Sequence, residues 1–165
     1  KGQVVVAQTI TQAQQLWQIR EHIPLAQSAE GLNIKHDISI PISRIAKFVD
    51  HTFDVLVEAI PGMRLVNFGH LGDGNLHYNV QAPAGADGQA FLQQHESTVN
   101  TLVFDAVQQF GGSISAEHGI GTLKAHTLPH YKDATALAMM RAIKDSLDPQ
   151  GILNPGSILE RSTPV

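Results

Sequence analysis

The sequence predicts an α+β fold in which helices pack on one face of a mainly antiparallel sheet. Three observations carry that expectation. Strand-like and helix-like hydrophobic periods alternate along the chain, two of the strands meet at a short glycine-rich turn, and the helices are amphipathic rather than uniformly apolar. At 165 residues the chain has the size of one domain, and it contains no internal repeat.

The elements follow in order. Val4, Val5 and Val6 form a β-branched run that predicts a strand at the very start, as expected of one part of a longer protein. Over residues 9–27, Ile10, Ala13, Leu16, Trp17 and Ile23 recur at helical spacing, and Gly31 ends the segment. Arg20 shares that packing stripe. Pro24, four residues on, has no N–H for the Arg20 carbonyl and predicts a bend beside it. Residues 35–40 alternate as a strand with Ile34, Ile38 and Ile40 as its apolar content, and Pro41 with Ser43 opens a helix. That helix places Ile45, Phe48, Val49, Leu56, Val57 and Ile60 on one face and stops at Pro61-Gly62.

Residues 64–70 and 75–81 then read as the two strands of a hairpin around Leu71-Gly72-Asp73-Gly74. A third helix turns Leu92, Val99, Leu102, Val103, Ala106, Val107 and Phe110 toward the core and ends at Gly111-Gly112. Residues 113–117 predict a short strand. The last helix covers residues 132–147, before Pro149 and a loop-like tail.

Composition narrows the function classes. Hydrophobic residues at 42% and charged residues at 16% suit a folded core rather than a disordered tail. Eleven basic against fifteen acidic residues lack the excess that binding a phosphate backbone needs, which argues against nucleic acid as a partner. No apolar run nears the roughly 20 residues that span a bilayer, and the expected setting is cytoplasmic. With no cysteine, the chain cannot build a disulfide, a thiolate metal site or a cysteine nucleophile. Nine histidines leave imidazole and carboxylate as its metal ligands.

The hairpin concentrates them. Side chains two apart on a strand share a face, so Asn75, His77 and Asn79 point together. A four-residue turn pairs His70 with Asn75 and brings His70 to the same face. Turn chemistry alone would explain Gly72, Asp73 and Gly74. Two imidazoles and two amides beside it favour a binding site. Ser115-Ala-Glu117-His118-Gly-Ile-Gly121 is a second constellation, in which Glu117 from a neighbouring strand would complete a His, His, Glu set suited to zinc or another first-row divalent ion. His118 would reach the same place only if the backbone turns at Gly119. Arg20 and Lys35, cations on otherwise apolar or alternating segments, suit an acidic substrate, although single basic residues more often lie along the surface. The remaining histidines, His22, His36, His51, His95, His126 and His130, share no spacing and are expected on the surface or in the core.

With these segments in hand, the chain resembles the C-terminal substrate domain of FAD-dependent 2-hydroxy acid dehydrogenases of the vanillyl-alcohol oxidase superfamily. The resemblance rests, in order, on Leu16-Trp17 to Arg20-Glu21, KHDISIPIS from Lys35, GHLGDGNLHYN from Gly69, SAEHGIG from Ser115 and LDPQGILNPG from Leu147. It implies a ferredoxin-like domain over residues 1–165 that caps a separate, preceding FAD-binding domain. It also implies metal ligands at His70, His77 and Glu117, a catalytic His118, and substrate contacts at Arg20, Lys35 and Asn79. The tail of residues 147–165, with Asn154 as a cofactor contact, would return toward the flavin domain. Pro24 stands where the 2-hydroxyglutarate type carries a hydroxyl residue, a difference that bears on recognition of the distal carboxylate.

The implied reaction is oxidation of a D-2-hydroxy acid to the 2-oxo acid, with FAD and a divalent metal, zinc in the first instance, as cofactors. A downstream electron acceptor would reoxidise the flavin and provide any peripheral membrane contact. An uncovered apolar sheet face would favour a homodimer. Two other readings share the ligand set: a noncatalytic, metal-dependent organic-acid-binding module, and a metallohydrolase that activates water.

Overall fold

The computed structural model describes residues 4–160, so the last residues of the predicted tail, 161–165, lie outside it. The chain divides into two compact units, Lys1–Leu32 and Asn33–Val165.

In the first unit, Val4, Val5 and Val6 join no strand. Their β-branched side chains favour extended backbone, but a strand also needs a partner. Helix α1 (Ile10–Glu21) is capped by Thr9, whose side chain accepts the Gln12 N–H at 3.2 Å. The bend expected near Pro24 is a full break. The helix ends at His22, and α2 (Ile23–Ala29) starts afresh with Pro24 in its first turn, where the missing N–H costs nothing. The stripe expected to pack Arg20 is not a core stripe: α1 buries none of its residues, and Trp17 is 62% exposed.

The second unit is built around a hairpin. Strand β1 (Asn33–Ile34) and strand β2 (Asp37–Ser39) lie end to end, followed by α3 (Ile45–Ala59), β3 (Arg64–His70), β4 (Asn75–Gln81) and α4 (Gly88–Gln109). Strand β4 is central. It pairs antiparallel with β3 on one side and with β1 and β2 on the other. Ile34 opposite Val80 and Asp37 opposite His77 keep one continuous register, so β1 and β2 are a single strand interrupted at Lys35-His36. Beyond β2, Ser39 and Ser113 form an antiparallel bridge, with N–H to carbonyl distances of 3.0 and 2.8 Å. Strand, helix, two strands, helix and bridge make the ferredoxin-like order expected.

The predicted strand at residues 113–117 shrinks to that bridge. Beyond it, the Asp37 carboxylate draws in the N–H groups of residues 116–118 and bends the chain off the ladder.

Helices α3 and α4 cover one sheet face. Ile34, Ile38, Leu76, Tyr78 and Val80 meet Phe48 and Leu56 of α3 and Val99, Val103 and Val107 of α4 in one core. The Phe48 and Tyr78 rings pack edge to face at 5.5 Å. On α3 the buried stripe is Ile45, Phe48, Thr52 and Leu56. Val57, expected inside, lies one residue past that line and is 37% exposed. Two further helices, α5 (Leu128–Tyr131), which the hydrophobic period did not reveal, and α6 (Ala134–Leu147), precede the tail. The Asp133 carboxylate caps α6 by accepting the Ala136 N–H at 2.8 Å.

Candidate functional site

Alternation along β4 sends Leu76, Tyr78 and Val80 into the core and leaves Asn75, His77 and Asn79 on the face that the helices do not cover. Register adds their neighbours. His77 lies between Phe68 and Asp37, and Asn75 lies between His70 and Ser39. The hairpin closes as the sequence predicts, because Gly74 takes a left-handed conformation at φ +76°. A side chain there would also collide with the Ile40 carbonyl, which only glycine avoids.

Glu117 arrives from the segment after the bridge. Its Oε1 lies 3.1 Å from His70 Nδ1, and its Oε2 lies 3.7 Å from His77 Nε2. His118 stands beside them, with its ring 6.0 Å from that of His77 and its Nδ1 3.7 Å from Asp37 Oδ2. The backbone turns directly after it at Gly119, φ +72°, as the reach of His118 required. The His118 side chain is 70% exposed and that of His77 only 17%, so the cluster runs from a sheltered imidazole to an open one.

Asp37 is the residue that sequence reasoning missed. It is buried at 3% exposure. Its Oδ2 accepts N–H groups from Glu117 at 2.8 Å and His118 at 2.7 Å, with Ala116 at 3.3 Å, while Oδ1 accepts from Asn75 Nδ2 at 2.8 Å. Burial opposes its ionisation, but the His118 and Glu117 N–H groups, the charge of His118 and the Asn75 amide outweigh that and hold the carboxyl below its usual range. The alternation of residues 35–40 already put Asp37 on the site face. Its partners, some 80 positions away, left no sequence signal.

The other expected site residues fall apart into separate places. Asn79 is buried on the site face, where its Oδ1 accepts the His36 N–H at 3.1 Å and fills the gap between β1 and β2. Lys35 is exposed within that gap. Arg20 lies in the last turn of α1, in the first unit. Asn154 is exposed in the tail, in a left-handed conformation at φ +43°. The tail is anchored by Asp148, which accepts the Ile152 and Leu153 N–H groups at 3.0 and 2.9 Å, and by the Ile158 N–H, which reaches the Gly121 carbonyl at 2.7 Å.

Residues 1–158 match the family described as FAD linked oxidases, C-terminal domain. The chain belongs to that family. Over 156 residues it is 44% identical to the D-2-hydroxyglutarate dehydrogenase of Xanthomonas citri pv. viticola, covering 94% of this chain and 33% of that protein. The enzyme of the same name from Stutzerimonas stutzeri is 39% identical over 154 residues, with 93% and 33% covered. The mitochondrial D-2-hydroxyglutarate dehydrogenase of Arabidopsis thaliana is 38% identical over 158 residues, with 96% and 27% covered. The chain thus spans about a third of the length of the curated relatives it matches.

Within this FAD-linked oxidase domain, two donor sets compete for a metal. Asp37, Glu117 and His118 bring one ligand atom each within 4.8 Å of one another. Asp37 is a poor ligand, however, because both of its oxygens are already filled by N–H donors. His70, His77 and Glu117 instead turn two imidazole nitrogens onto one carboxylate, a donor set that suits a divalent ion with positions left open. Asn75, whose Nδ2 donates to Asp37, has a buried Oδ1 without a hydrogen-bond partner among the described residues.

Proposed function

We propose that this domain is the substrate- and metal-binding part of an FAD-dependent enzyme that oxidises a D-2-hydroxy acid to the 2-oxo acid. One observation carries the reading: Glu117 sits between His70 and His77, beside the open ring of His118, in a chain of this family. The substrate class follows the relatives, which are named D-2-hydroxyglutarate dehydrogenases.

His70, His77 and Glu117 would hold the divalent ion, and zinc suits two imidazoles and a carboxylate. When bound, it supplies Lewis acidity toward the oxygens of the hydroxy acid. FAD, held mainly by a preceding domain, supplies the two-electron acceptor. The remaining work belongs to this chain. His118, with Nδ1 turned toward Asp37, offers Nε2 to take the hydroxyl proton. Lys35 presents a positive charge to a substrate carboxylate, and Arg20 offers a bidentate fork for the same kind of group. Asn79, whose Oδ1 accepts the His36 N–H, would help to fix the orientation of the substrate.

Two measurements on the intact protein test this. Dye reduction by D-2-hydroxy acids, with little by their L enantiomers, is the expected activity, and its absence overturns the reaction. Metal analysis after purification without chelator should show bound metal that His77→Ala loses. Equal metal in both proteins removes His77 from the ligands.

A further inference from the structure

We propose that Asp37 is the positioning residue of this site: its carboxylate fixes the segment that presents Glu117 and His118, without binding metal or substrate itself. The inference rests on the functional reading above and adds a residue that the ligand set does not contain.

A buried carboxylate is costly unless its oxygens are satisfied, and Asp37 is satisfied in an unusual way. Three consecutive amides, those of residues 116, 117 and 118, converge on a single oxygen. Backbone concavities of this kind bind anions. Here the anion is a side chain of the domain's own sheet, so the segment takes its shape from β2.

The same carboxylate ties the two histidine positions together. Asp37 lies directly opposite His77, and its Oδ1 holds Asn75, which lies directly opposite His70. One residue thus connects both imidazole-bearing positions of the hairpin to the segment that carries Glu117 and His118. The bridge at Ser113 is followed by one further main-chain bond to β2, from the Ala116 N–H to the Asp37 backbone carbonyl at 3.2 Å, so it is the carboxylate that ties the next two amides, those of Glu117 and His118, to the strand. Removing the carboxylate leaves every proposed ligand in the chain but releases the backbone that aims one of them. Groups that orient metal ligands from behind typically matter by roughly 10–100-fold in metal affinity or activity.

The test uses the intact protein, Asp37→Ala, and the exchange variant Asp37→Asn/Asn75→Asp. In the exchange variant a carbonyl faces the three N–H groups, and an amide donates to a carboxylate at residue 75, so the number and polarity of the hydrogen bonds are kept. Two readouts are taken: hydrogen exchange of metal-free protein in peptides spanning residues 115–119, and Co²⁺ titration followed by visible absorption. In Asp37→Ala we expect the Glu117 and His118 amides to exchange at least about tenfold faster and Co²⁺ to bind roughly 10–100-fold more weakly with an altered spectrum. The exchange variant should recover both to within a few-fold.

Unchanged exchange and Co²⁺ affinity in Asp37→Ala overturn the proposal. Weakened Co²⁺ binding with the amides still protected also overturns it, because Asp37 would then be a ligand. Should Asp37→Ala fail to fold, the exchange variant decides: a folded protein with restored Co²⁺ affinity supports the clamp, and one without it refutes the clamp. If the unsubstituted protein binds no Co²⁺, the metal reading fails by itself. The exchange data then judge Asp37 alone, and unprotected amides at residues 117 and 118 overturn its role.

Discussion

On the helix-covered face of the sheet, His36 is 1% exposed, and its ring meets only protein. Nδ1 lies 2.8 Å from the Tyr78 carbonyl, Nε2 lies 2.9 Å from the Asn100 side chain, and the edge of Phe104 packs against it. On the opposite face, His77 and His70 meet the Glu117 carboxylate with His118 beside them, and the three open to solvent in the order His77, His70, His118. The carbonyl can only accept, so Nδ1 of His36 carries a proton, and burial disfavours a second one on Nε2 although Asn100 Oδ1 would accept it. The histidines of the open face turn nitrogens toward carboxylates, His70 and His77 toward Glu117 and His118 toward Asp37. The same side chain is thus a packing unit on one face and a reactive group on the other. What decides between them is strand phase, because His36 and Asp37 are adjacent and face opposite ways.

The largest expected effect tests the open face. His118→Ala in the intact protein should lower kcat by roughly 10²–10⁴-fold, the usual contribution of a positioned base. An exposed side chain carries little packing, so stability should change by less than about 0.5 kcal/mol. Turnover within a few-fold of the unsubstituted protein, measured by dye reduction, would remove His118 as the base.

How much of this contrast was legible in the sequence depends on how local its causes are. The hairpin was legible to the residue, because a four-residue turn fixes the pairing of His70 with Asn75, and period-two alternation fixes the face of His77 and Asn79. The phase of residues 35–40 was legible too, and, carried to His36, which the sequence reading assigns to surface or core alike, it puts that ring with Ile34 and Ile38. The gap at Lys35-His36 was not, since it arises from the Asn79 side chain bonding to a backbone N–H on another strand. The fate of residues 113–117 was hidden for the same reason: Asp37 reshapes them from far away in sequence. Helix α5 is a single turn, too short to show a hydrophobic period. Val4 to Val6 were misread because strand propensity says nothing about whether a partner exists.

The second prediction sharpens the covered face. Burial pushes the His36 pKa down to about 4, against the raising effect of its bonds to Tyr78 and Asn100, and the charge of Lys124 adds to the lowering. An unfolded His36 titrates near the ordinary histidine value of 6.5. Between those values the unfolded chain holds a proton that the folded chain refuses. The contribution of His36 to stability is therefore complete above pH 6.5 and lost as pH falls toward 4, by about 3 kcal/mol in total. Denaturant unfolding of the protein and of His36→Gln across this range should show the gap between them closing by about that amount. A gap that stays constant with pH would mean that His36 is not held neutral in the core.

The smallest effect concerns the residue before it. Lys35 is exposed in the interruption between β1 and β2, one residue before the buried His36. Lys35→Ala removes no core contact, so stability should stay within about 0.5 kcal/mol. Losing a charged partner for a substrate carboxylate should instead raise KM for a D-2-hydroxy acid roughly tenfold, with a smaller change in kcat. Lys35→Arg should restore only part of that, because a planar fork does not replace a mobile point charge. Such a result would place a binding effect and a folding effect on consecutive residues, Lys35 and His36, separated only by the direction in which the strand points them. A loss of stability in Lys35→Ala comparable to that in His36→Gln would break the contrast, since the open face would then be a packing surface.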